Sequence, residues 1–256
     1  MLTVLEAILL GILQGLTEFL PISSSGHLVI AQALLGIEGP MLTFDIFVHL
    51  GTLAAVIAAF WQDIKALIRH PWCKTTALLA VGTVPAVVMG LLLDDLFAAM
   101  FSSLIAVALA LLLTGLLLRI SDGYNGNRRM EDMKLSGALL VGLFQGLAIM
   151  PGLSRSGSTI FGALITGLRR DEAARFSFLL SIPVILGAAA KQVLDAGTGG
   201  FQLHGTYVLG ALTAALCGYA AIRVFLRLLA KKTLRYFSYY CWALAAAVLI
   251  NQLFRL

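Results

Sequence analysis

Charge is what this chain has least of. Asp, Glu, Lys and Arg make up 12% of its 256 residues, about half of the roughly 25% found in an ordinary soluble domain, which excludes a soluble globule. Cysteine is scarce as well. Cys73, Cys217 and Cys241 are an odd, widely spaced set in or beside apolar stretches, so neither a disulfide framework nor a cysteine metal site is implied. No basic stretch precedes the first apolar run, which carries Glu6 and is followed by no small-residue cleavage site. The N-terminal segment is therefore expected to be mature structure and not a secretory signal. The formal net charge is +5, yet no basic run is interleaved with aromatic residues as nucleic-acid binding requires, so no nucleic-acid partner is expected.

What the chain does have is apolar length. Six windows (46–62, 75–93, 102–118, 176–190, 205–222 and 236–254) contain no Asp, Glu, Lys or Arg, and each approaches the roughly 20 residues a helix needs to cross a bilayer. Two further stretches, 2–37 and 135–168, are apolar runs interrupted by Pro, Ser and Gly. Neither half of either run spans comfortably, and backbone exposed at such a break is tolerated only where protein or a wet cavity surrounds it. The expected fold is an all-α polytopic membrane protein, a single membrane domain over 1–256, with six transmembrane helices and two re-entrant helix–loop–helix hairpins.

The two breaks repeat one another at an offset of 131 residues. Gln14-Gly15-Leu16 falls on Gln145-Gly146-Leu147, Ser23 on Ser154, Ser25 on Ser156, Gly26 on Gly157 and Gly36 on Gly167, while Pro21 and Pro151 differ by one place. This implies an internal duplication, with repeat 1 over about 1–121 and repeat 2 over about 135–256. One hairpin plus three crossings per repeat inverts the second copy. Short cytoplasmic loops are rich in Lys and Arg, and the connections near Lys65, Arg69 and Lys74, near Arg119, Arg128, Arg129 and Lys134, near Arg169, Arg170 and Arg175, and near Lys231, Lys232 and Arg235 are basic. Those near Glu38, Asp94, Asp95 and Asp195 are not. Every basic loop then lies on one side, both termini lie outside, and the hairpins enter from opposite faces to meet near the midplane.

Helix N-termini facing one another at mid-membrane form an anion site before side chains are considered. Ser23-Ser24-Ser25-Gly26 and Ser154-Arg155-Ser156-Gly157 lead into such starts, and small residues let an oxyanion approach the backbone, with Thr159 one turn further on. Arg155 adds a planar fork suited to phosphate oxygens. Ionisable groups inside a membrane are costly and mark function, and Glu18, His27 and Arg155 all lie at the breaks. Gln14 shares a helix face with Glu18, and His27 follows Ser24 by three residues. This set suits phosphoryl transfer to a serine, or hydrolysis. Each residue also has a plain structural role open to it: an N-cap for the serines, an interfacial position for His27, an ion pair for Glu18 and Arg155. Their joint occurrence on duplicated breaks favours chemistry. His49 is expected to pack or to support the site from behind, Asp45 and Arg175 to anchor helix ends, His70 and His204 to be incidental, and Tyr236, Tyr239, Tyr240 and Trp242 to form an interfacial belt.

The strings QGLTEFLPISSSGH and PGLSRSGST resemble the two signatures of the undecaprenyl pyrophosphate phosphatase family, the bacitracin-resistance integral membrane proteins of bacteria, and the resemblance runs over essentially the whole chain. It implies interdigitated inverted repeats in the bacterial plasma membrane, a cavity open to the outer side, and removal of one phosphate from a polyprenyl pyrophosphate lipid with a divalent cation, Mg²⁺ or Ca²⁺. Glu18, Ser24, His27 and Arg155 match the catalytic positions. Gln14 occupies the first acidic place of the (E/Q)xxxE motif without carrying charge, which leaves Glu18 as the carboxylate for a metal. Gln14, Ser23, Ser25, Gly26, Ser154, Ser156, Gly157 and Thr159 are assigned to substrate binding. Ser24 as nucleophile with His27 as base is favoured over a phosphohistidine on His27. The bilayer and a homodimeric contact are the partners considered.

The rival class is a secondary transporter or flippase for an anionic lipid, which shares broken helices and inverted repeats but has no need of the Ser24/His27 pair. Acid phosphatase-like lipid phosphatases share only SGH and SR; the chain has no Arg-Pro dipeptide, and no histidine follows Arg155 before His204. A purely structural membrane protein needs no ionisable groups at its breaks. The charge alternation of the loops makes a direct prediction. In a variant lacking Cys73, Cys217 and Cys241, a cysteine at Glu38 or Asp95 reacts with an impermeant thiol reagent added to intact cells, and one at Arg128 does not. Labelling of Arg128 from outside would reverse the orientation.

Overall fold

The computed structural model describes residues 2–37, 41–196, 204–230 and 233–254. Glu38, Lys231 and Lys232, and the side chain of Asp195, lie outside the described residues. Among those described there is no β-strand, only an isolated bridge between Arg128 and Leu168. The chain is an all-helical, multi-pass membrane protein.

The first interrupted stretch forms α1 (Val4–Phe19) and α2 (Ser24–Leu34). Thr3 and Glu6 start α1 with a reciprocal capping box, which satisfies two amides that the helix itself cannot. Pro21 follows its C-cap, and proline cannot continue a helix. Ser23 then takes φ 71°, the left-handed region, as the only described non-glycine residue to do so. The strain is of order 1–3 kcal/mol, and strain of this kind concentrates at functional sites. Next come α3 (Leu42–Ala59), α4 (Trp61–Arg69), α5 (Lys74–Leu92), α6 (Asp94–Phe101) and α7 (Leu104–Ser121). A single 3₁₀ turn (Met130–Asp132) leads to the second interrupted stretch, α8 (Leu135–Leu147) and α9 (Arg155–Ile165). The last three helices are α10 (Arg170–Ala196), α11 (Gly205–Ala230) and α12 (Arg235–Leu253).

Four of these, α5, α7, α10 and α11, are long and apolar enough to cross a membrane, and α3 with α4 makes a fifth if that pair, bent by 79°, is one span. The amphipathic α4 buries none of its side chains. The charge-free window 236–254 lies on α12, which has the length, but Tyr236, Ser238, Tyr239, Tyr240 and Trp242 dilute the apolar character of its first half.

Packing follows small residues. Gly11 and Gly15 lie on the face of α1 that meets α11: a Cβ on Gly15 would stand 2.6 Å from the Ala214 carbonyl oxygen and 2.8 Å from the Cys217 Cβ. At the same offset of 131, Gly142 and Gly146 bring α8 onto α5, where a Cβ on Gly142 would stand 2.9 Å from the Pro85 ring. Small residues four apart permit such close approach between membrane helices. Two further large contacts join α3 to α11 and α7 to α12. Among the basic connections, Asp122 accepts from the Leu234 amide at 2.7 Å and sits 3.7 Å from Arg170, while Glu172 accepts from the Met130 amide at 2.9 Å. Arg175 pairs with Asp63 of α4 and with Glu172.

Overpacking a tight core contact costs about 1–3 kcal/mol. Gly15→Leu is therefore expected to lower the thermal unfolding midpoint in detergent by several degrees, whereas Gly187→Ala, whose Cβ would meet nothing within 4 Å, leaves it unchanged. Equal midpoints for the two variants would show that the α1–α11 contact is not tight.

Candidate active site

The two loops that interrupt the apolar stretches are built alike and touch. Ser23 caps α2, its hydroxyl accepting from the Gly26 amide at 3.3 Å; Ser154 caps α9, accepting from the Gly157 amide at 3.1 Å. In each loop the cap hydroxyl also meets the serine two residues on, Ser25 at 3.3 Å and Ser156 at 3.2 Å. Gly26 lies against Gly152, where a Cβ would approach the facing Cα to 3.0 Å. The Ser156 hydroxyl donates to the Leu20 carbonyl at 3.3 Å. Gly152 itself has φ +94°, a conformation that favours glycine.

Glu18 stands where the loops meet. Its Oε1 accepts from Arg155 Nη2 at 2.5 Å, and its Oε2 accepts from the Ser24 hydroxyl at 2.6 Å and from Gln14 Nε2 at 3.0 Å. His49 Nε2 is 3.9 Å from the same Oε2. The carboxylate is 6% exposed and the Arg155 side chain 14%, so the charges are nearly buried but paired and hydrogen-bonded, which is what makes such burial tolerable. Arg155 Nη1 and Gln14 Oε1 are buried with no hydrogen-bond partner among the described residues. They are polar atoms left over for a ligand or water.

His27 is placed differently from the expectation that set it beside Ser24. Its Nδ1 lies 2.7 Å from the Ser23 carbonyl and its Nε2 2.8 Å from the Tyr240 hydroxyl. A carbonyl can only accept, so Nδ1 carries the proton, and in the neutral ring Nε2 accepts from tyrosine. The group that receives the Ser24 hydroxyl is Glu18. Thr159 is also turned away: its hydroxyl donates to the Arg155 carbonyl at 2.8 Å and meets Ser177 of α10 at 2.6 Å. The structure thus gathers Gln14, Ser24 and Arg155 around the Glu18 carboxylate, with Ser23 and Ser154 as the caps behind them and Ser25, Gly26, Ser156 and Gly157 in the helix starts. His27 faces the neighbouring apolar groove between α1 and α12, and Thr159 faces α10.

Two contributors, Thr114 and Tyr240, escaped sequence reasoning, while a third, His49, stands behind the site where the sequence set it. Thr114 of α7 donates to the Gly152 carbonyl and accepts from the Ser154 amide, both at 2.9 Å, pinning the second loop. Its signal was present: it is the only polar side chain between Leu104 and Leu118. His49 donates from Nδ1 to the Asp45 carbonyl at 2.7 Å, which leaves Nε2 facing Glu18. Tyr240 holds His27 from the far end of the chain, where it reads as a belt residue.

A resident divalent cation does not fit this donor set. Among the described residues Glu18 is the carboxylate at the contact, and both its oxygens are committed, one of them to a guanidinium, whereas a cation held by protein groups alone needs several further oxygen ligands. Among the described residues no three His, Cys, Asp or Glu side chains converge.

The family described as bacitracin resistance protein BacA matches residues 7–247. The undecaprenyl-diphosphatase of Halothermothrix orenii is 47% identical over 252 residues, covering 96% of this chain and 97% of the relative. That of Carboxydothermus hydrogenoformans is 44% identical over 253 residues, covering 96% and 97%, and that of Alkaliphilus metalliredigens 42% over 275 residues, covering 98% and 100%. With a family match over nearly its whole length and relatives above 40% identity covering at least 96% of it, this chain belongs to the bacitracin resistance protein BacA family.

Proposed function

We propose that the chain is an undecaprenyl-diphosphatase, converting undecaprenyl pyrophosphate to undecaprenyl phosphate and so returning the lipid carrier to cell-wall synthesis. The observation that carries the chemistry is the Ser24 hydroxyl bonded at 2.6 Å to Glu18, whose other oxygen holds Arg155. A nucleophile and a proton acceptor within hydrogen-bond reach form the pair that phosphoryl transfer to serine needs. Arg155 Nη1, which has no hydrogen-bond partner among the described residues, takes an oxygen of the terminal phosphate while Nη2 keeps Glu18 in place. The amides at the starts of α2 and α9 receive the charge that develops on phosphorus.

Ser24 Oγ attacks the terminal phosphorus as its proton passes to Glu18 Oε2. The bond from that phosphorus to the bridging oxygen breaks, and the polyprenyl monophosphate leaves. Water then hydrolyses the phosphoserine to inorganic phosphate and free Ser24. His27 as base would first have to give up Tyr240 and turn toward Ser24; its hydrogen bonds instead support a role in holding the strained Ser23. A divalent cation brought in with the substrate would supply neutralisation of the pyrophosphate charge.

The membrane reading is of the same kind. Six crossings with two re-entrant hairpins, in inverted repeats over about 1–121 and 135–256, agree with the exchange of partners in the fold. Helix α1 packs on α11 of the other half and α8 on α5, while α7 meets α12. The alternation of basic loops along the sequence supports a cytoplasmic side for those loops and an opening of the site on the outer face of the bacterial plasma membrane. A homodimer is compatible with this arrangement and unnecessary for the site.

Purified protein in detergent, where no transmembrane gradient exists, is expected to release phosphate from undecaprenyl pyrophosphate. Binding without release would favour the transporter or flippase reading. Among variants, Ser24→Ala is expected to be inactive at every pH. Glu18→Gln should be slower by about 10² to 10⁴, the usual worth of a general base, and recover in part at high pH, where hydroxide can deprotonate the serine. His27→Ala should be slow without that recovery. Arg155→Lys should lose about 10² to 10³ in rate although charge is kept. Recovery of His27→Ala but not of Glu18→Gln at high pH would return the base to histidine.

A further inference from the structure

A groove of about 500 Å³ opens at the basic end of α8, away from the catalytic loops, and the chemistry above makes no use of it. Its mouth carries Arg128 and Lys134, and its wall runs along Leu139, Leu140 and Leu143 to Ile165 at the end of α9. Leu139 and Leu143 are 44% and 46% exposed, an apolar face turned to lipid.

The mouth is held in place. The Arg128 amide donates to the Gly167 carbonyl at 3.1 Å, its own carbonyl accepts from the Arg169 amide at 2.9 Å, and its guanidinium reaches the Thr166 carbonyl at 3.3 Å. The neighbouring acids are engaged elsewhere: Asp132 accepts from the Arg129 amide at 3.1 Å and Glu131 sits 3.9 Å from the Arg129 side chain. Neither lines the groove, so its mouth is net positive. From Lys134 to Leu143 the helix rises about 13 Å, close to half of the roughly 30 Å hydrocarbon core, which is the depth of one leaflet.

We propose that this groove binds one anionic glycerophospholipid of the inner leaflet, its phosphate between Arg128 and Lys134 and one acyl chain along Leu139, Leu140 and Leu143. Charge complementarity selects the headgroup, and the leucine wall selects a chain over a soluble anion. The inference rests on the membrane reading of the basic loops and is independent of the phosphatase chemistry.

Each Lys or Arg beside an anionic lipid surface is worth about five-fold in affinity, so the pair gives about 25-fold. Native mass spectrometry of the purified full chain, offered phosphatidylglycerol and phosphatidylcholine with identical acyl chains, is expected to show phosphatidylglycerol retained by roughly that margin. R128Q/K134Q should abolish the preference, and K134Q alone, which removes no hydrogen bond among the described residues, should reduce it about five-fold. Leu143→Trp, filling the groove without touching its charge, should weaken retention of both lipids. Phosphate release by R128Q/K134Q serves as the check on folding and is expected to match the parent. Equal retention of the two lipids, an undiminished preference in R128Q/K134Q, or displacement of phosphatidylglycerol by an equimolar amount of polyprenyl phosphate would overturn the proposal, the last in favour of a product site.

Discussion

A carboxylate inside a membrane protein must find partners, and Glu18 finds all of its own at the junction of two interrupted helices. Its bond to Arg155 spans 137 positions of sequence, while Ser24 and Gln14 reach it from six and four residues away. Removing one partner of such a buried pair typically costs about 3–5 kcal/mol. That cost ties loop 20–23 to loop 148–154 and fixes the spacing between a hydroxyl and a guanidinium. The bent geometry around it, including the left-handed Ser23, persists because the surrounding contacts over-determine it.

The proposed duplication supplies the scaffold but not the chemistry. At the offset of 131 the cap serines, their partner serines, the loop glycines and the glycines of the packing stripes coincide. The reactive positions do not: Ser24 corresponds to Arg155, Glu18 to Ile149 and His27 to Ser158. One break carries Ser24 and Glu18 beside it, the other Arg155, so two similar halves make one cluster and not two. Gln145 keeps the amide of Gln14 without a carboxylate beside it, and both of its polar side-chain atoms are buried without a partner among the described residues.

The glycine stripes explain why the loops can meet at all. Cβ atoms at Gly15 and Gly142 would collide with α11 and α5, and helices held further apart would carry the two loops out of hydrogen-bond range. Thr114 then fixes the second loop from α7, satisfying a carbonyl and an amide that the break leaves exposed. Buried breaks need such partners because no water is at hand.

Much of this was legible along the chain. The charge-free windows fall on α3, α5, α7, α10, α11 and α12, and Pro, Ser and Gly mark both breaks, because helix length and interruption are local properties of backbone and solvent. Gln14, Glu18, Ser24 and Arg155 were legible too, since ionisable and polar groups stand out against an apolar background. Which of them touch was not legible. A three-residue spacing put His27 beside Ser24, but the φ of Ser23 turns the start of α2, so that the hydroxyl faces Glu18 and the imidazole faces Tyr240, 213 residues away. His49 likewise reaches Glu18 only through the packing of α3 beside α1. The sequence alone determined which groups are too costly to bury without purpose. The tertiary structure alone decided their partners, because a hydrogen bond depends on ångström distances and side-chain direction, which the packing of distant helices sets.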